Sequence, residues 1–157
     1  MTTGIGYDCH RLVAGRRLVL GGVELDHELG LDGHSDADVL THAIIDALLG
    51  ACALGDIGEH FPDTDPRFRD ADSIGLLRAT AEMIGEAGFA VRHVDATVVL
   101  ERPKLAPVRD RMRAQLAEAL QLPVARVSVK ATRGEGMGFV GRQEGVAALA
   151  VATVEEL

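Results

Sequence analysis

Val146-Ala147-Ala148-Leu149-Ala150-Val151 is apolar at every position rather than at alternate ones. Inside the strand expected over residues 145–154, that run suits a strand buried on both faces. Such a strand needs a layer on each side. The helical segments of this chain are enough to cover one face, and a second copy of the same chain is the economical cover for the other. The run therefore predicts a homo-oligomer with its sheets packed together. The 157 residues, 47% of them hydrophobic, are expected to form one domain over 1–157 with a core of its own.

The remaining elements follow from periodicity and punctuation. Residues 3–8 read as a strand. Arg17 to Leu20, Gly21-Gly22 and Val23 to Leu25 read as a hairpin with a glycine turn. Gly30 to Gly33 reads as a polar loop leading to a helix capped by Ser35. That helix runs to about Leu49, with Leu40, Ala43, Ile44, Ala47 and Leu48 as its apolar stripe. Residues 51–68 hold two prolines, two glycines and several aspartates, which argue against regular structure. A connection this long is usually functional, and Ile57, Phe61 and Phe68 give it something to pack with. A helix over about 72–87 turns Ile74, Leu77, Ala81 and Ile84 inward and stops at Gly88. A strand over 89–100 places Val94, Ala96, Val98 and Leu100 on one face. A helix over about 107–121 and a strand over 127–132 follow. A loop with four glycines, residues 133–141, precedes the last strand.

Asp8-Cys9-His10 is the first candidate for chemistry. Alternation along a strand puts Asp8 and His10 on one face and Cys9 on the other. A carboxylate beside an imidazole is half of a zinc site, and a catalytic zinc takes three protein ligands and leaves one position open. The same pair can equally hydrogen-bond to each other and hold nothing. His42 lies off the apolar stripe, in the series Asp38, His42, Asp46 at i, i+4. It is either a solvent-facing histidine between two carboxylates or a metal ligand with a carboxylate supporting its far nitrogen. Spacing alone does not choose.

Sixteen basic against 24 acidic residues give a net charge of −8. That balance disfavours nonspecific binding to nucleic acid or an anionic membrane, so any phosphate is held locally. Cys9 and Cys52 do not make a disulfide framework and read as small buried residues. Strand-like sequence begins almost at Met1, without a charged-then-apolar leader, and no apolar run is long enough to span a bilayer. A cytoplasmic chain is expected.

Five blocks in order carry a resemblance. They are G-x-D-x-H (Gly6 to His10); G-H-S-D-x-D (Gly33 to Asp38) with His42; A-L-G-D-I-G followed by F-P-D-T-D-P (Ala53 to Pro66); Lys130-Ala131-Thr132; and G-F-x-G-R-x-E-G (Gly138 to Gly145). Together they resemble the 2-C-methyl-D-erythritol 2,4-cyclodiphosphate synthase family of the non-mevalonate isoprenoid pathway, over essentially the whole chain. The resemblance implies an α+β subunit, a mixed β-sheet with helices on one face. It implies a homotrimer with the sheets packed around a central axis and active sites between neighbouring subunits. It implies a lyase acting on a cytidyl diphosphate substrate, 4-diphosphocytidyl-2-C-methyl-D-erythritol 2-phosphate, whose 2-phosphate attacks the β-phosphate and releases CMP. Asp8, His10 and His42 match the zinc ligands. Glu135 matches the carboxylate that holds a second ion, magnesium or manganese, on the diphosphate.

Substrate positions carry over by the same resemblance. The metal end includes Asp8 and His10. His34 and Ser35 match contacts to the phosphorylated erythritol, and His34 also matches a transition-state stabiliser. Asp56, Ile57 and Gly58 match a segment that reaches the ribose. Phe61, Pro62, Asp63, Thr64 and Asp65 match the segment enclosing the erythritol. Leu100, Glu101, Arg102, Pro103, Lys104, Leu105 and Ala106 match the cytidine pocket. Thr132, Arg133, Gly134, Glu135, Phe139 and Arg142 complete the set. Two positions depart from the pattern. Arg133 stands where the family has a threonine that stabilises the transition state; an arginine keeps donors and adds charge. Tyr7 stands in place of the commoner phenylalanine and makes the trimer's channel more polar. The family can also hold an isoprenoid diphosphate in that channel, with the match to Arg142 near its mouth. Two other readings use the same residues: a zinc-dependent phosphohydrolase, and a non-catalytic trimeric ligand-binding protein with a structural metal.

Overall fold

In the computed structural model, which describes residues 1–157, seven strands and five helices follow one another. They are β1 (Thr2–Ala14), β2 (Leu18–Leu20), β3 (Val23–Leu25), β4 (Leu29–Leu31), α1 (Val39–Ala51), α2 (Ile57–His60), α3 (Ser73–Glu86), β5 (Phe89–Val99), α4 (Arg109–Leu120), β6 (Val127–Thr132), α5 (Gly138–Gly141) and β7 (Gly145–Glu156). Five strands form one mixed sheet in the order β4-β1-β7-β5-β6. Only β5 and β6 run parallel. A parallel pair needs a long crossover, and α4 supplies it. β2 and β3 form the glycine-turn hairpin, with Gly21 and Gly22 both at positive φ (57° and 76°), as a two-residue hairpin turn requires.

One face of the sheet carries the core. Val94, Ala96, Val98, Val127, Val129, Ala148, Ala150 and Ala152 are buried there under α1, α3 and α4. α1 comes closest. A methyl group on Gly6 would sit 1.9 Å from the Ala43 carbonyl oxygen, and one on Gly4 would sit 2.0 Å from that of Ala47. Strand and helix backbones therefore touch, with glycines on one side and Ala43, Ala47 and Ala51 on the other. α1 is buried almost all round, including Val39, Ile45 and Leu49 outside the expected stripe, because α3 packs against it as well.

Several expectations are corrected. β1 does not end at Asp8 but runs on to Ala14, since its far end pairs with β4, a strand inside the stretch read as a loop. Helix α1 starts at Val39, and its cap is Asp38, not Ser35. The Asp38 carboxylate is fully buried and accepts from the N–H groups of Gly21 (2.9 Å), Gly22 (2.8 Å) and Thr41 (3.0 Å) and from the Thr41 hydroxyl (2.8 Å). It thus joins the hairpin to the helix. The stretch 51–68 does contain regular turns: Asp56 caps α2, and Asp65 caps a 3-10 turn at Pro66–Phe68. The four-glycine loop likewise holds the short α5. Cys9 is exposed and Cys52 half-buried, so neither is the buried residue expected. Within one chain β7 is covered by helices on one face; on the other, the face expected to meet a second copy, Leu149 and Val151 are each 41% exposed. They lie directly opposite Tyr7 and Ile5 of β1, themselves 52% and 71% exposed, so the four form one apolar patch on the outer face. No helix is long and apolar enough to cross a membrane.

Candidate active site

The touching of β1 and α1 sets the site. Two residues beyond Gly6, Asp8 points to the helix face, and His10 follows it. One residue before Ala43, His42 reaches down to meet them. Asp8 Oδ2 is 2.9 Å from His10 Nε2 and 3.1 Å from His42 Nδ1, and the two nitrogens are 3.4 Å apart. Tetrahedral ligands at zinc's bond lengths of 2.0–2.1 Å lie about 3.3 Å from one another. The three donor atoms come within a few tenths of an ångström of that spacing, and together they form a group that can hold a metal. His10 is set for it: Nδ1–H donates to the Asp32 carbonyl at 2.9 Å, which leaves the Nε2 lone pair facing the group. With no metal bound, burial alone would raise the Asp8 carboxyl, but the imidazoles of His10 and His42 at hydrogen-bond distance hold it down at about 2. Burial would lower His10, and Asp8 raises it instead.

His42 is buried rather than solvent-facing. The carboxylates expected to support it are engaged elsewhere. Asp38 caps the helix, and Asp46 accepts the Ile57 N–H at 2.8 Å, which anchors α2 beside the site. The far nitrogen of His42 meets Ser73 Oγ at 2.8 Å and Ser35 Oγ at 3.2 Å. Ser73 was not among the candidates. The serine-aspartate cap before a helix was its only signal, and that signal speaks of capping.

A cavity of about 370 Å³ opens beside the three ligands. Of the candidate positions, Asp8, His10, His34, Ser35, His42, Ile57, Gly58, Phe61, Pro62 and Asp63 line it, with Gly33, Phe68 and Leu76 in addition. Phe61 and Phe68 meet edge to face with ring centres 5.4 Å apart, so the long connection packs on itself. His34 donates Nε2–H to the Asp65 carbonyl at 2.9 Å, and its own carbonyl accepts from Asp70 N–H, which ties two loops together. Asp56 and Asp65 serve as caps, and Thr64 lies between them in the connection, outside the cavity wall.

A second cavity, about 170 Å³, is lined by Leu100, Glu101, Pro103, Lys104, Leu105, Ala106, Thr132 and Arg133, together with Ala131 and Arg109; Arg102 is not in its wall. Glu101 accepts from the Gly134 N–H and from the Arg133 guanidinium at 3.4 Å, so Arg133 is paired with a carboxylate on the cavity's rim. Glu135, at φ 53°, is exposed in the glycine loop and outside the three-ligand group. Phe139 is 39% exposed, and Arg142 pairs with Glu144 at 2.9 Å. Asp8, Ala148, Val98 and Ala131 form one row across the sheet. Three strand spacings, about 14 Å, therefore separate Asp8 from the wall of the second cavity.

The YgbB family model matches residues 1–155. A curated 2-C-methyl-D-erythritol 2,4-cyclodiphosphate synthase from Salinibacter ruber is 62% identical over 155 residues, 99% of each chain. Among solved structures, the bifunctional IspDF from Campylobacter jejuni superposes with a TM-score of 0.95 at 42% identity; the match covers 99% of this chain and 42% of that one. A 2C-methyl-D-erythritol-2,4-cyclodiphosphate synthase in its CDP-bound form gives 0.89 at 37% identity over 98% of this chain and 99% of that one.

Proposed function

We infer that this chain, which belongs to the YgbB family of 2-C-methyl-D-erythritol 2,4-cyclodiphosphate synthases, converts 4-diphosphocytidyl-2-C-methyl-D-erythritol 2-phosphate to the 2,4-cyclodiphosphate and CMP. The observation that carries this is Asp8, His10 and His42 meeting at ligand spacing beside a cavity of about 370 Å³. An oxygen of the substrate's 2-phosphate bonds to the β-phosphorus. The bond from that phosphorus to the oxygen bridging it to the α-phosphate breaks, and CMP leaves with that oxygen. No side chain has to act as nucleophile, because the substrate carries its own.

The barrier is largely the approach of two anions, so the protein's work is positioning and charge compensation. Asp8, His10 and His42 would hold zinc, which would supply positive charge against the phosphate oxygens. His34 and Ser35 line the same cavity and position the phosphorylated erythritol, with Ile57 to Asp65 enclosing it. Leu100 to Ala106 hold the cytidine in the smaller cavity, in keeping with the CDP-bound relative. Arg133, at that cavity's rim, meets the phosphates, and Glu135 would hold magnesium or manganese, which would add positive charge at the diphosphate. Incubation with the cytidyl substrate, zinc and magnesium should release CMP and the cyclic product in equal amounts, read by chromatography. An opened phosphate in place of the cyclic one would point to a hydrolase and reject this reading. Arg133→Thr should change turnover by less than about tenfold, and a larger gain would show that the arginine obstructs the site.

The functional unit we propose is a homotrimer of single-domain chains, cytoplasmic, in which three outer patches of Ile5, Tyr7, Leu149 and Val151 meet around an axis. In this reading the substrate is shared between neighbouring copies, since the two cavities lie about 14 Å apart within one chain. The axial channel takes an isoprenoid diphosphate, with Arg142 near its mouth. Light scattering at micromolar concentration should give the mass of three chains, and the same sample should show a heat of binding with farnesyl diphosphate. A monomeric mass would remove the trimer and the channel together; a trimer with no heat would remove the channel ligand alone.

A further inference from the structure

The far side of His42 is organised as carefully as the near side. Ser73 opens α3 and is fully buried. Its hydroxyl donates to Asp36 Oδ1, while its backbone N–H donates to Asp36 Oδ2 at 3.0 Å. Asp38 N–H also donates to Oδ1, at 3.1 Å. An ionised carboxylate only accepts, so the single proton of the Ser73 hydroxyl is committed to Asp36. What Ser73 Oγ shows to His42 Nε2, 2.8 Å away, is a lone pair.

We propose that Asp36 and Ser73 are positioning residues for His42: the pair fixes Nε2 as the protonated nitrogen and presents Nδ1 to the metal. The inference rests on the zinc reading above. Ser35 is the other neighbour of Nε2, at 3.2 Å, and it accepts the Ala37 N–H. Its own proton is uncommitted, so Ser35 can either accept from Nε2–H or donate to a bare Nε2. Ser73 settles that choice. Without it, the ring is free to turn, and Ser35 can hold it in the form that keeps the proton on Nδ1, which blocks the ligand position. Asp36→Asn is a poor test. Both carboxylate oxygens accept backbone N–H groups, so either amide orientation sets an NH₂ against one of them.

Ser73→Ala is the informative change. Zinc affinity, measured by competition with a chromophoric chelator, should fall about 10- to 100-fold, the usual effect of losing a partner behind a ligating imidazole. In the zinc-loaded wild type, the His42 Nε2 proton should give a slowly exchanging signal in ¹⁵N-histidine spectra, and Ser73→Ala should lose it. Ser73→Thr, which restores the hydroxyl, should recover both. Equal zinc affinity in wild type and Ser73→Ala would overturn the positioning role and leave the metal reading intact. A wild type that takes up no zinc would overturn both. Should Ser73→Ala not fold, the wild-type spectrum decides: a protected Nε2 proton supports the proposal, and zinc bound through Nε2 overturns it.

Discussion

His42→Ala is expected to release the bound metal and to lower CMP formation by about a thousandfold or more, the rate equivalent of several kcal/mol of lost charge stabilisation. The other two ligands come from one strand, two residues apart, so His42 alone closes the group from the helix side. Its loss leaves a two-ligand site. It also removes one of the two imidazoles beside Asp8, and it leaves Ser73 Oγ, buried behind the ring, without its imidazole partner. The stability cost should be modest, about 1–3 kcal/mol, because the ring's place opens toward a cavity that water can enter. Metal analysis after dialysis, paired with the chromatographic assay, separates the two effects. A variant that keeps its metal and a tenth of the turnover would show that the site does not depend on this imidazole.

Strand parity was enough to place Asp8 and His10 on one side of β1, since alternation is a property of the backbone. It did not show where β1 ends. Asp8, His10 and Arg11 interrupt the apolar pattern, yet the strand continues, held by pairing to Gly145 and then to Leu29–Leu31. β4 itself was hidden because Gly30 sits at its centre, where a side chain would strike the Arg16 carbonyl. The core faces of β5 and α3 were legible because each packs on one side only. β7 is apolar at every position from Val146 to Val151 because its second face, with Leu149 and Val151 41% exposed in the single chain, is left in the proposed trimer for a second copy to cover.

The acidic residues around His42 illustrate the limit most clearly. Asp38 and Asp46 have equal claims to that imidazole by spacing, and Asp36, six residues away, has none. The choice among them belongs to donors brought in by tertiary structure. Gly21 and Gly22 take Asp38, Ile57 takes Asp46, and Ser73 puts Asp36 to work behind the ring. None of those partners is near in sequence to the aspartate it engages. The family's motifs named the three metal-ligand candidates, but no motif says which neighbour sets a tautomer.

The helix carrying His42 is placed by two glycines, and Gly6→Ala should show how tightly. The new methyl would meet the Ala43 carbonyl oxygen at 1.9 Å and the Ala47 nitrogen at 2.8 Å, both backbone atoms with no rotamer to relieve them. Ordinary contact requires about 3.4 Å, so α1 must lift by roughly 1.5 Å over this point. Overpacking of this kind costs about 1–3 kcal/mol, more where rigid groups collide. The gain from a stiffer unfolded chain, about 0.4–1 kcal/mol, does not offset it. A net loss near 3 kcal/mol corresponds to a fall in Tm of roughly 6–12 °C for a chain of this size. His42 moves with Ala43, so the distances of 3.1 and 3.4 Å from its Nδ1 to Asp8 and His10 lengthen, and metal affinity should fall along with stability. Gly50→Ala, in the same helix, supplies the contrast. Its methyl would have only the Ile5 carbonyl within reach, at 4.0 Å, and alanine is favoured over glycine in a helix by about 1 kcal/mol. Calorimetric melts should therefore move in opposite directions for the same chemical change. A Gly6→Ala protein that melts within two degrees of wild type, or above Gly50→Ala, would mean that α1 does not rest on the backbone of β1.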